Sequence, residues 1–307
     1  MSSVHVLDRY YLAITALITV AWQLAGFFVA WTFQFDKITD FTGALLTLLL
    51  GNTYHARNIV ASVLIMIWAA RTAGFLLYRV LKIGSDSRFD TIRAHFFKFG
   101  RYPCPSSCLI HPAVSDLALG GSNPTFGTAR DVVGIVLWAL GLAIETVSDA
   151  QKLHYKLNKP PKHKPFTGGL WKWSRHPPYF GEILCWWGIW TLTISPSTNR
   201  TLPSSAKAAQ YGAVVSPLFT MLVLLFFSGI PTAEKPQAQR VYLSGDANAW
   251  EAYRAYLDDT SILIPIPPAL YRPLPKVVKR TILFDFPLYQ FDESEAADDA
   301  TTTRTES

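Results

Sequence analysis

Gly168–Trp190 reads GGLWKWSRHPPYFGEILCWWGIW. It opens as a glycine turn, becomes basic and aromatic, and ends almost wholly apolar. One carboxylate, Glu182, stands inside the apolar part, and Arg175 and His176 stand at its mouth. Pro177 and Pro178 suit the first turn of a helix, where a missing N–H costs little. The stretch predicts a helix over Tyr179–Ile194 that enters a membrane with a guanidinium and an imidazole at its N-terminal end.

The rest of the chain agrees with that reading. Half of its 307 residues are hydrophobic and only 16% are charged, where a soluble domain carries about a quarter. Apolar runs of roughly 20 residues recur, the length that crosses about 30 Å of hydrocarbon. They predict an all-α, polytopic membrane helix bundle and exclude a soluble α/β enzyme. Spans are expected at Tyr10–Phe33, at Ile38–Leu50 (short), and at Asn58–Val80, Asp131–Asp149, Tyr179–Ile194 and Tyr211–Ile230. Two basic loops, one holding Lys82 to Arg101 and one holding Lys152 to Arg175, flank the Asp131–Asp149 span. Both should be cytosolic by the positive-inside rule. One crossing cannot return to the same side, so another is required between Arg101 and Arg130, at the poorly apolar Leu109–Leu119. The result is about seven segments, with a lumenal or extracytoplasmic N-terminus and a cytosolic C-terminus. The glycosylation triplet Asn199-Arg200-Thr201 then falls on the lumenal side. Residues 1–290 are expected to form a single membrane domain, and 291–307 a disordered acidic tail.

Charge inside a span is costly and marks functional candidates. Glu145 and Asp149 are four apart and share a helical face. They sit in the last turns of their helix, where negative charge opposes the macrodipole. They need a partner: Lys152 and the lysines after it, in a salt-bridged helix end, or a ligand offering hydroxyl or amide donors. The mouth at Arg175 and His176 has the form of an anion site, and arginine can grip a phosphate bidentately. Glu182, one turn in, pairs with those residues or accepts from a ligand's ribose or amide. Gly168 and Gly169 let backbone approach a ligand closely. A competing reading makes the arginine a snorkel at headgroup level, with Trp171, Trp173, Trp186 and Trp187 as an aromatic belt; it leaves Glu182 unexplained. With neither a G-x-G-x-x-G nor a Walker sequence, any nucleotide must be held between helices. Cys104, Cys108 and His111 give a partial zinc spacing without a fourth ligand, so no metal is expected. The net charge of +6 sits in loops beside spans and signals topology, not nucleic acid.

The pieces GFLLYRVLKIGSDSRFDTIR, LWALGLAIETVSDAQK, GGLWKWSRHPPYFGEILCWWGIW, SPLF, SGIPTAEK and YRAYLDDTSILIPIPP follow one another from Arg71 to Pro268. In them the chain resembles the steroid 5α-reductase C-terminal superfamily, in the branch labelled DUF1295. The resemblance implies a seven-helix fold with NADPH in a cytosol-facing cavity, and a core over about 71–268. It places Arg79, Glu145, Asp149, Gly168, Gly169 and Glu182 along the cofactor. Lys152, Trp171, Arg175, His176 and Tyr179 complete the expected cofactor-binding set. The implied activity is reduction of a carbon–carbon double bond conjugated to a carbonyl in a steroid- or lipid-like substrate. Tyr78, beside Arg79, is the nominated proton donor. The expected partners are the bilayer and a hydrophobic small molecule, in the endoplasmic reticulum if the source is eukaryotic. Pro178 stands where the steroid reductases have an Asn, and Ile38–Gly51 lacks their Gln and Glu for the 3-keto group.

The superfamily also includes isoprenylcysteine carboxyl methyltransferases. A rival reading is therefore a methyltransferase in which Arg175, His176, Tyr179 and Glu234 hold S-adenosylmethionine and a substrate carboxylate. A second rival is a non-catalytic lipid-binding membrane protein, which the buried acids disfavour.

Overall fold

The computed structural model describes residues 56–83, 126–161, 164–199 and 204–293. The segments expected at Tyr10–Phe33, Ile38–Leu50 and Leu109–Leu119 lie outside them, as do Cys104, Cys108, His111 and nearly all of the acidic tail. Among the described residues the chain is helical, and its single strand-like feature is an isolated parallel bridge between Ser174 and Ser261. Helix α1 spans Ala56–Ile83, α2 Ala129–Leu157 and α3 Pro177–Thr193. After two short helices come α4 (Val215–Leu222), a π-turn (Val223–Phe227), α5 (Ile230–Tyr242) and α6 (Ala247–Asp259). A one-turn helix, Pro268–Tyr271, leads to α7 (Lys276–Thr281).

Among the described residues three helical stretches are long and apolar enough to cross a membrane: Ile59–Ile83, Ala129–Leu157 and Gln210–Tyr242. The span expected at Tyr179–Ile194 forms as α3. With 17 residues it is about 25 Å long and is not one of the three. The span expected to end at Ile230 continues as α5. Helix α2 runs past Asp149 to Leu157, so Lys152 is helical and not in a loop.

The chain divides into two compact units. The first contains Met1–Leu142 and Ile183–Met221. Its apolar core joins α1, α2 and α3 through Trp68, Trp138, Trp186, Ile189 and Leu192, with Trp68 meeting Trp186 edge-on at 5.3 Å. Helices α2 and α3 touch backbone to backbone. A Cβ on Gly188 would stand 2.7 Å from the Gly134 carbonyl oxygen and 2.6 Å from the Trp138 nitrogen. Small residues permit such close crossings, which is how apolar helices associate without a hydrophobic drive. The start of α2 is fixed by a reciprocal cap: Asp131 N donates to Thr128 Oγ1, and Thr128 N donates to Asp131 Oδ2. The same carboxylate receives Arg57 of α1 through Nε at 2.8 Å and Nη2 at 3.0 Å, both side chains fully buried.

The second unit contains Ala143–Glu182 and Leu222–Ser307. Here α5 packs on α6 and on the π-turn. An apolar cluster of Ala238, Val241 and Tyr253, flanked by Trp250 and Phe291, holds α5 and α6 together. Gly229 separates the π-turn from α5, and a Cβ there would collide with the Leu224 oxygen at 2.4 Å.

Candidate functional site

The second unit gathers most of the residues singled out in the sequence. Glu145 is buried near the end of α2 and Asp149 is half-buried one turn later. The glycine turn rests on this part of α2. Leu170 N donates to Gln151 Oε1 at 3.0 Å, and Trp171 Nε1 donates to the Ser148 carbonyl at 3.0 Å. Lys152 Nζ stands 3.8 Å above the Trp171 ring, a cation–π contact that fixes both. Gly169 has φ +59, and a Cβ there would meet Gln151 Oε1 at 2.4 Å. Its freedom is thus used by a side chain of the protein itself.

The mouth of α3 is braced by a distant segment. Arg175 N donates to the Ser261 carbonyl at 2.8 Å, and Ser174 Oγ to the Leu263 carbonyl at 2.7 Å. Ile266 N donates to the Trp173 carbonyl at 3.0 Å. Ser174 Oγ also accepts from His176 N at 3.1 Å. Tyr256 of α6 donates to the Trp171 carbonyl at 2.7 Å. These bonds hold the backbone of 171–176 so that two side chains turn into the interior: Arg175 is 7% and His176 6% exposed.

Their partners come from far along the chain. Arg175 Nη1 binds Glu234 Oε2 at 2.7 Å and Nη2 binds Asp285 Oδ1 at 2.7 Å. Glu234 Oε1 lies 2.8 Å from His176 Nε2. Asp285 Oδ2 accepts from the Tyr271 hydroxyl at 2.9 Å. Tyr179 stacks flat on the His176 ring, centroids 5.2 Å apart. Asp285 is aimed by Phe284, a bulky residue at φ +61, a conformation that surrounding contacts must hold. Burial opposes the Arg175 charge, but Glu234 and Asp285 outweigh it and hold the guanidinium above its ordinary value. Burial pushes His176 below its ordinary value against the pull of Glu234, with Lys152 and Arg175 adding to the depression. Arg175 thus faces two carboxylates, and Lys152 adds a second positive charge that acts on His176 and Glu234.

This arrangement bears on the anion site expected at Arg175. Both terminal nitrogens already face carboxylates, and Nε is buried without a hydrogen-bond partner. A phosphate would reach the guanidinium at Nε, or at Nη2 on release of Asp285. Glu182 is half-buried on α3, and Tyr78 and Arg79 lie on α1 of the first unit. Tyr78 is 49% exposed, with Lys82 Nζ 5.9 Å from its ring. Sequence reasoning reached Glu234 only through the methyltransferase alternative and missed Asp285 and Tyr271. A signal for Asp285 exists: it is the one acid between Arg272 and Asp292, set among Phe284, Phe286 and Pro287. Among the described residues no cluster of His, Cys, Asp and Glu could hold a metal ion.

Helices able to cross a bilayer, joined to a buried ionic network, fit an integral membrane protein of the helical class. The chain belongs to the family described as "Protein of unknown function (DUF1295)", which matches residues 26–260. It is also 36% identical over 74 residues to "Probable O-methyltransferase ustE" of Ustilaginoidea virens. That match covers 24% of this chain and 24% of the relative, so the chain matches about a quarter of that protein's length. No solved structure matches the chain significantly.

Proposed function

We propose that the protein is a membrane-embedded, NADPH-dependent reductase of a carbon–carbon double bond conjugated to a carbonyl in a hydrophobic, steroid- or lipid-like molecule. The observation that carries this reading is the acid-lined end of α2: Glu145 buried and Asp149 half-buried, beside the turn that Gln151, Ser148 and Lys152 hold. Carboxylates there accept from ribose hydroxyls and a nicotinamide amide, and Lys152 supplies positive charge toward a phosphate. When bound, NADPH supplies a hydride for the β-carbon of the enone. The chain's own share is to bind, to orient and to exclude water around the developing enolate.

One pair of observations favours a second reading, methyl transfer from S-adenosylmethionine. Arg175 and His176 both meet Glu234, and Tyr179 stacks on His176, so the four residues expected of that reading are linked and include a carboxylate for a sulfonium cation. The similarity to a probable O-methyltransferase points the same way. Isotope transfer separates the two. Incubation with NADPH deuterated at the transferring carbon should place deuterium on the β-carbon of a reduced enone lipid. Label arriving instead as a methyl group from S-adenosylmethionine would replace the reductase reading with the second one.

A further inference from the structure

The C-terminal segment after α6 serves the candidate site through Asp285 and Tyr271, but its other side has no role there. Helix α7 is amphipathic in an unusual sense. Its inner side is tied down: Lys279 Nζ donates to the Asp258 carbonyl at 3.2 Å and lies 4.2 Å over the Tyr271 ring. Its outer side carries Lys276, Val277 and Arg280, all exposed, and residues three and four apart share a face. Val277 is 71% exposed, and Ile282 just beyond it is 64% exposed. Large apolar side chains interleaved with cations, on a segment of low acid content, are poorly suited to water alone. They match the boundary between acyl chains and anionic headgroups.

The segment is also anchored at a suitable place. Phe286 stacks on Phe226 with centroids 5.5 Å apart, and the Tyr289 hydroxyl donates to the Leu225 carbonyl at 2.8 Å. Both anchors lie in the π-turn of the Gln210–Tyr242 stretch, one of those able to cross a membrane. Phe227, next to Phe226, is 66% exposed. The C-terminal segment is thus tied, four residues beyond Ile282, to a stretch able to cross a membrane.

We propose that the outer face of α7 and the residue after it, centred on Lys276, Val277, Arg280 and Ile282, is a docking surface for an anionic phospholipid bilayer. Val277 and Ile282 enter the headgroup boundary, and Lys276 and Arg280 meet lipid phosphates and carboxylates. The positive-inside expectation puts this end of the chain on the cytosolic side, whose leaflet is the anionic one. The inference rests on membrane insertion and is independent of which cofactor the site takes. Because the same segment carries Asp285 and Tyr271, lipid docking would steady the network around Arg175.

The test uses full-length protein in nanodiscs, made either of phosphatidylcholine alone or with about one third phosphatidylserine. Amide hydrogen exchange over residues 276–283 is compared between them. Slower exchange in the anionic discs is expected, with each charge removed lowering the effect about fivefold (~1 kcal/mol). Lys276→Gln with Arg280→Gln should abolish the difference, and raised salt should weaken it in the parent. Exchange of α2 and α5 serves as the folding control and should be unchanged in the variant. Equal exchange in the two discs would overturn the proposal. So would protection that rises with the number of protein copies per disc, since the face would then bind a second copy.

Discussion

Among the described residues two arginines are buried against carboxylates, and the two sites are built differently. Arg57 forks onto one carboxylate, Asp131, which is itself held by the cap of α2. Arg175 is shared between two carboxylates that come from α5 and from the C-terminal segment, and a histidine and a tyrosine complete the set. The first is a clamp between two helices. The second draws carboxylates from two distant segments, holds an imidazole whose charge burial disfavours, and keeps a guanidinium nitrogen without a hydrogen-bond partner. A clamp needs only to be satisfied, whereas a buried donor left without a partner keeps capacity for another group.

Single and paired substitutions would break the comparison most visibly. Arg57→Met alone strands Asp131 and should cost about 3–5 kcal/mol in thermal unfolding of the detergent-solubilised protein. Arg57→Met combined with Asp131→Asn should recover much of that loss, because it removes the stranded charge while the amide oxygen still accepts from Gly127 N and Thr128 N. The corresponding pair at the other site, Arg175→Met with Glu234→Leu, should recover stability less completely, since Asp285 and His176 remain. It should also lose cofactor binding, which the first pair should keep. If both double variants recover and bind alike, the two arginines play the same structural part.

Smaller effects sharpen the picture. Arg175→Lys removes the planar fork and leaves one carboxylate poorly served, for a loss of about 1.5–3 kcal/mol. The pH dependence follows from His176. Its folded-state value lies below its ordinary 6.5, so the unfolded chain binds the extra proton first. The contribution to stability is complete above about pH 6.5 and is lost as pH falls toward the lowered value. The slope cannot exceed about 1.4 kcal/mol per pH unit for one proton. His176→Gln should flatten unfolding curves below pH 6.5 and leave those above it parallel to the parent. Tyr271→Phe, the mildest change, removes one hydroxyl donor from Asp285 and should cost about 1 kcal/mol.

The sequence made the framework legible where a long apolar run coincides with a helix. Helices α1 and α2 lie where the runs around Asn58–Val80 and Asp131–Asp149 predict them, and Pro177 starts α3 as its ring chemistry requires. The mouth residues Arg175 and His176 were also legible, as a guanidinium and an imidazole placed against an apolar helix. Their partners were not. Glu234 is 59 residues from Arg175 and Asp285 is 110, and no local pattern records a contact over that separation. Gly169 illustrates a subtler limit. Its positive φ is readable from the Gly-Gly pair, but its close neighbour is the Gln151 side chain. The π-turn at Val223–Phe227 and the left-handed Phe284 leave no composition signal, because tertiary contacts hold them.

The central claim is that the acid-lined end of α2 and the mouth of α3 receive NADPH. It is tested most directly by titrating the full-length, detergent-solubilised protein with NADPH, NADH and S-adenosylmethionine side by side, for the parent and for Asp149→Asn and Glu182→Gln. The account predicts saturable binding of NADPH that each substitution weakens by roughly tenfold or more, at about 1.4 kcal/mol per decade for a lost charge-assisted bond. Binding of S-adenosylmethionine alone, or NADPH binding equal in all three proteins, would contradict it.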